Sequence, residues 1–300
     1  MLLRMLVPMI SLVLFAASGG NSSPCVPRTT KTALIVGQDY WSIYNYSKSF
    51  HQHLFGLMSY TALNSSTGSL QGLWIATDYG SGIEWAYGSL KNFPGASLQL
   101  GLYLVDQCDA VLSGNLDGEI NKLIDFAKFM ENDLYIRIGY EFDLPGNRYE
   151  PETYILTFRY IVDKFRSANA SNVAFVWHSC ANTPYNDLSP HKWYPGDDYV
   201  DWCGISLFEQ PYSCPTDNHD ADSCIMLYPE TFAQLCKNLN RHIMIAESTP
   251  FGGILDNMSH TRGHTNRANY SGDSWDVWFS PVLRFIGDAT LYAVLSLLIH

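Results

Sequence analysis

Short apolar runs, rich in β-branched residues or Leu, recur along this 300-residue chain at Ala33–Val36, Gly72–Ala76, Leu98–Val105, Leu134–Ile138, Val173–Trp177, Trp202–Leu207 and Ile243–Ala246. Several are apolar at every position, as strands are when helices cover both faces of a parallel sheet. Stretches of helical period separate them. Leu116, Ile120, Leu123, Ile124, Ala127 and Met130 fall on one helical face, with Asp117 and Glu119 in the first turn. Tyr154, Ile155, Phe158, Ile161, Val162 and Phe165 form a second face after Pro151, and Phe232, Leu235, Cys236 and Leu239 a third after Pro229. Strand and helix alternate at the spacing of βαβ crossovers. Seven such units predict an α/β fold, a (β/α)8 barrel. An eighth unit would have a helix over Ser274–Ile286 and a strand over Leu291–Leu295, so the last unit is atypical or incomplete. The alternative is an open doubly wound sheet, but the first strand runs into "GQDYWSIYNY" with no G-x-G-x-x-G.

The N-terminus reads as a leader. Met1–Arg4 is a short basic start, Met5–Phe15 is apolar, and Ala16-Ala17-Ser18 has the small residues of a cleavage site. Residues 1–20 are therefore set apart as a signal peptide, and 21–300 are read as a single domain. N-x-[ST] acceptors at Asn21, Asn45, Asn64, Asn169, Asn257 and Asn269 agree with a secreted, extracellular glycoprotein. Seven cysteines would lie in an oxidising compartment, with Cys214 and Cys224 the favoured disulfide pair. A net charge of −11 argues against nucleic acid or an anionic membrane surface and suits a soluble protein with a neutral ligand, and a monomer is expected. No membrane insertion is expected, although an apolar tail after Ser271-Gly272-Asp273 leaves surface anchoring open.

In barrels of this kind the active site lies at the C-terminal ends of the strands. Those ends carry Asp39, Asp78, Asp106, Glu141 with Asp143, His178, Phe208 with Glu209, and Glu247. Two strands share one design. "LYIRIGYE" and "HIMIAES" both run apolar and then place a Glu at the top. By strand alternation Glu141 shares its face with Gly139 and Arg137 while Tyr140 points the other way, and Glu247 shares its face with Ile243 and Ile245. If those faces line the barrel, the carboxylates meet over its mouth. Paired carboxylates are what glycoside hydrolysis requires, one as proton donor and one as nucleophile. The alternative is a pair of strand-end glutamates that never meet.

"RIGYE", "KFRSANASNVAFVWHS", "WYPGDDYVDWCGISLF" and "IMIAES", taken in order, resemble glycoside hydrolase family 26 from about residue 133 to 249. The resemblance implies a secreted retaining β-glycanase, related to endo-β-mannanases, acting on β-mannan or a related β-glucan or β-xylan. It implies Glu141 as acid/base, Glu247 as nucleophile, and Arg137 as the family's Arg four residues before the acid/base. Three features depart from the family. Tyr140 replaces a His, Phe208 stands where the clan has a Tyr touching the nucleophile, and "FDLPGNRYEP" replaces a Trp-rich loop. Tyr140, His178, Phe208, Asp39 and Trp74 are the candidate sugar contacts. A catalytically inactive glycan-binding barrel is the rival function. "DNHDADSC" at 217–224 lacks the Gly and final Glu of a calcium loop, and His260 with His264 lies in polar, Gly-containing sequence. No metal and no cofactor are expected.

Overall fold

In the computed structural model the recurring runs become one closed barrel of parallel strands. The structure describes residue 25 and residues 33–50, 54–65, 68–80, 82–181, 189–208, 221–249 and 293–299. The strands are β1 (Ala33–Gln38), β2 (Gly56–Ala62), β3 (Ser97–Tyr103), β4 (Leu134–Ile138), β5 (Val173–Ser179), β6 (Trp202–Phe208), β7 (His242–Thr249) and β8 (Ala293–Ile299). Each pairs in parallel with the next in chain order, and β8 closes on β1. The α/β barrel expected from the sequence is the fold observed. The eighth strand begins two residues later than expected, and the helix expected over Ser274–Ile286 lies outside the described residues.

Helices α1 (Tyr40–Phe50), α2 (Ala86–Asn92), α3 (Cys108–Leu112), α4 (Asp117–Met130), α5 (Pro151–Ser167) and α6 (Ala221–Asn238) connect the strands. The apolar faces read from the sequence are the buried ones. Ile120, Leu123, Ile124 and Ala127 of α4 and Tyr154, Phe158, Ile161, Val162 and Phe165 of α5 all pack into the core. Helix α6 starts well before the expected Pro229 and carries that proline inside it. Between β5 and β6 the described residues contain only a 3-10 turn, Pro190–Trp193.

Alternation along the strands splits the core in two. Leu98, Leu100, Leu102, Leu134, Ile136, Ile138, Phe175, Trp177, Cys203 and Ile205 face the helices. Ala33, Ile35, Met58, Tyr135, Ala174, Val176, Trp202, Met244 and Ala246 fill the barrel interior. The layered interior is a packed core and not a pore, so only its top is free for chemistry.

One strand assignment is corrected. Gly72–Ala76 is a turn, with Gly72 at φ +78°, and the second strand is Gly56–Ala62. The true strand escapes an apolar-run reading because Ser59, Tyr60 and Thr61 interrupt it. Thr61 donates its hydroxyl hydrogen to the Gln71 carbonyl at 2.7 Å, which ties the turn to the strand.

Among the described residues Cys25, Cys108, Cys203 and Cys236 are free thiols. Cys214 and its expected pairing with Cys224 lie outside the described side chains, as do residues 1–20, 217–220, His260, His264 and Ser271–Asp273. Asn45 and Asn169 are exposed and Asn64 is half-buried, while Asn21, Asn257 and Asn269 lie outside the described residues. No helix among the described residues is long and apolar enough to cross a membrane.

The loop after β4 is pinned from below. The Phe142 ring stacks on Trp177 with centroids 4.7 Å apart, and both side chains are fully buried. Phe142→Ala is expected to lose about 3–5 kcal/mol of stability, seen as a lower urea midpoint with an unchanged m-value. A loss under about 1 kcal/mol would show that this contact does not hold the loop.

Candidate active site

The centre of the site is Arg137, placed on the inward face of β4 beside Tyr135 and fully buried. Its guanidinium Nη1 donates to Glu247 Oε1. The same Nη1 lies 3.3 Å from His178 Nδ1, and Nη2 is 3.6 Å from Met58 Sδ. The rings of Tyr60 and Tyr140 flank the guanidinium at 4.8 and 5.3 Å. Room for it comes from β3. A Cβ at Gly101 would lie 2.8 Å from Arg137 Nη2 and 2.5 Å from the Tyr60 ring.

Glu247 reaches this centre by a route that alternation does not predict. Ile243 packs outward, while Met244 and Ala246 face the interior. Simple parity would therefore send Glu247 outward with Ile243. The pairing of β6 with β7 runs Ile205 to Ile245 and then Ser206 to Glu247, so Ala246 is an extra residue. This bulge resets the alternation and turns Glu247 inward, a common device for re-aiming a side chain at an active site. The Ala246 carbonyl accepts from Gln99 Nε2 at 2.7 Å, which holds the bulge from across the barrel.

Glu141 arrives by a different irregularity. Strand β4 ends at Ile138, and Gly139 and Glu141 both have positive φ, +55° and +51°. A Cβ at Gly139 would point at Tyr154 and Tyr149 outside the barrel, 3.0 Å from Tyr154, which only Gly avoids without strain. The expectation that Tyr140 points away from the site is overturned for this reason. Its ring lies over Arg137 and contacts Tyr60, Tyr103 and His178 with centroids 5.5, 6.1 and 6.4 Å apart. Asp143 fastens the turn, accepting from the Ser179 hydroxyl at 2.5 Å and the Cys180 N–H at 2.8 Å.

The two carboxylates occupy opposed environments. Burial, and then the Glu247 charge, push the Glu141 carboxyl up to about 8 from its ordinary 4.5. Ser206 and Arg137 pull in the other direction without reversing the shift. Glu247 is instead held by the Arg137 cation, and the Tyr60 hydroxyl engages both groups. Although burial works against its charge, Arg137 stays well above the ordinary guanidinium range through Tyr60 and Glu247. Burial and Arg137 together hold His178 well below the usual imidazole range, so it is neutral. One carboxyl keeps its proton near neutrality while the other is tied to a cation. That division equips a pair for acid and nucleophile roles.

Among the sequence-predicted residues, Arg137, Tyr140, Glu141, His178 and Glu247 come together at the top of the barrel. Arg137 and His178 are fully buried beneath the carboxylates, so they support the site from below. Trp74 does not join them. Its ring packs on Tyr87, Phe126 and Phe129 with centroids 5.3, 5.0 and 5.1 Å away, against the outer helices α2 and α4. It lies in the turn where the second strand was expected. Asp39 is a structural tie, its carboxylate accepting from Ser42 N–H at 2.7 Å and Ile83 N–H at 2.8 Å. Phe208 closes β6.

Three residues at the site were not singled out from the sequence. Ser206 donates to Glu141 Oε1 at 2.7 Å. Tyr60, on β2, directs its phenol toward Glu247. Glu84, on the short ribbon of Thr77–Asp78 and Ile83–Glu84, accepts from the Ser59 hydroxyl at 2.5 Å and the Tyr60 N–H at 3.1 Å. Burial raises this carboxyl to about 7. A Glu beyond the second strand is the only trace of it in the sequence.

Comparison with known proteins agrees with this geometry. The model of "Glycosyl hydrolase family 26" matches residues 142–250, a span that includes β5, β6, β7 and Glu247 and begins one residue after Glu141. A β-1,3-xylanase of a Vibrio species is 27% identical over 258 residues, covering 84% of this chain and 53% of that protein. The chain is glycoside hydrolase family 26-like. A second β-1,3-xylanase, from an Alcaligenes species, is 26% identical over 258 residues, 84% of this chain and 52% of its own length. The family 26-like chain thus spans about half the length of these two relatives. The catalytic domain of a Bacillus sp. JAMB-750 endo-β-1,4-mannanase superposes with a TM-score of 0.56 at 13% identity, over 85% of this chain and 70% of that one. That likeness speaks for the fold.

The raised Glu141 carboxyl has a consequence for stability. The folded chain keeps this proton to about pH 8, whereas the unfolded chain releases it near 4.5. The native state then binds more protons than the unfolded one across this interval, so Glu141 lowers stability as pH rises. Glu141→Gln is expected to stabilise the chain more at pH 8 than at pH 5, read from urea midpoints at both. Equal gains at the two pH values would show that Glu141 is not held protonated.

Proposed function

We propose that this chain is a secreted glycoside hydrolase that cleaves a β-linked polysaccharide by retaining double displacement. Glu141 gives its proton to the glycosidic oxygen as Glu247 attacks the anomeric carbon. The leaving sugar departs, and a covalent ester joins the remaining sugar to Glu247. Glu141, now ionised, takes a proton from water, and the hydroxide oxygen displaces Glu247. The observation that carries this reading is the opposed setting of the two carboxyls, Glu141 raised to about 8 and Glu247 paired with Arg137. An Arg-bound carboxylate is fixed and correctly aimed, as a nucleophile must be.

Within this reading β-1,3-xylan ranks ahead of β-mannan as substrate. Both curated relatives covering 84% of the chain carry the name β-1,3-xylanase. Tyr140, half-buried, and Tyr103, 41% exposed, form an aromatic pair beside the carboxylates. Such faces suit the C–H side of a pyranose, and we assign them to sugar binding. The leader-like N-terminus supports secretion.

The test is a reducing-sugar assay of the purified full chain on β-1,3-xylan, β-mannan, mixed-linkage β-glucan and cellulose. Release from β-1,3-xylan is expected, with Glu141→Gln slower by about 10²–10⁴-fold. Glu247→Ala is expected to lose at least as much. Equal release by the wild type and Glu247→Ala would overturn the nucleophile assignment. Binding of a glycan with no release from any substrate would identify an inactive glycan-binding barrel.

A further inference from the structure

A continuous line of side chains joins the two carboxylates through the barrel interior. It runs from Glu247 to Arg137, to His178, to Ser206 and to Glu141, with contacts of 3.3 Å from Arg137 Nη1 to His178 Nδ1, 3.0 Å from His178 Nε2 to Ser206 Oγ and 2.7 Å from Ser206 Oγ to Glu141 Oε1. Chemistry fixes the direction of every link. A guanidinium can only donate, so His178 Nδ1 must accept. A neutral imidazole carries one hydrogen, which then stands on Nε2 and is donated to Ser206 Oγ. Ser206 has one hydroxyl hydrogen, and it goes to Glu141 Oε1. His178 and Ser206 are both buried, at 0% and 3% exposure, so water does not compete for these links.

We propose that Ser206, oriented by a neutral His178, is a positioning residue that decides which oxygen of Glu141 carries the transferable proton. Oε1 is the carbonyl-like acceptor of the Ser206 hydrogen, so the acidic hydrogen stands on Oε2. A carbonyl oxygen accepts more strongly than a protonated one, and the reverse placement would weaken the bond. The acid is thereby presented from one fixed oxygen in each turnover. Ser206 also steadies the carboxylate left after transfer, since its bond is stronger to the ionised form. The other charged or titratable groups that act on Glu141 include Glu247 on β7, Arg137 on β4, and Tyr140 and Asp143 beside it in the chain, and none is altered by changing Ser206. This assignment rests on Glu141 being the acid.

The experiment is NMR of the full chain, which requires no turnover. In wild type, nitrogen-15 spectra of His178 are expected to show hydrogen on Nε2 and none on Nδ1; the opposite tautomer would overturn the proposal without any variant. Carbon-13 titration of the Glu141 carboxyl is then compared in wild type, Ser206→Ala and Ser206→Thr. Loss of the hydroxyl is expected to raise the Glu141 midpoint by about one pH unit, and Thr is expected to restore it. An unmoved midpoint in folded Ser206→Ala would refute the assignment. If the Nε2 tautomer and the shift are seen but no glycan is cleaved, the proposed activity fails while the directed chain stands. If cleavage is seen with the other tautomer, the reverse holds.

Discussion

The Arg137–Glu247 ion pair sets the terms for the top of this barrel. Removing both charges from water costs several kcal/mol per ion, and their attraction alone does not reliably recover it. The surrounding residues supply the remainder. Tyr60 and Tyr140 flank the guanidinium, Met58 and His178 meet its two ends, and Gly101 leaves the space it occupies. Such an arrangement makes more sense as preorganisation than as a source of stability. An anion fixed by a cation in a dry site is ready before substrate arrives.

The proton on Glu141 follows from the same pair. Glu247, the ion-pair partner of Arg137, is also the charged neighbour that acts on Glu141. Burial and that negative charge then hold Glu141 protonated to about pH 8. In the proposed double displacement Glu247 becomes an ester and its charge is lost, which would free Glu141 to ionise and act as base. Under that proposal the acid-to-base change that retention requires follows from the coupling of the two carboxyls.

Much of the barrel was legible in the sequence because most of its strands are apolar on both faces. Leu134–Ile138 and Trp202–Leu207 could be recognised without any partner. The second strand was not, since its inward positions include Tyr60, which serves the site. Glu141 and Glu247 were singled out and do meet at the mouth of the barrel, yet the parity argument behind them fails at both. An Ala246 bulge turns Glu247 inward, and positive φ angles at Gly139 and Glu141 bring both Glu141 and Tyr140 to the mouth. Parity is a property of unbroken strands, and active-site residues sit where strands are broken. Ser206 and Tyr60 were out of reach for a further reason. Their roles depend on register across several strands, which a local pattern does not encode.

Trapping of the covalent intermediate tests the central claim most directly. The full chain would be incubated with a 2-deoxy-2-fluoro β-xylobiosyl fluoride, digested, and mapped by mass spectrometry. A stable glycosyl ester is expected on the peptide containing Glu247, at Glu247 itself. An ester on Glu141, or turnover of the glycan with inverted product and no adduct, would contradict the division of roles between the two carboxylates.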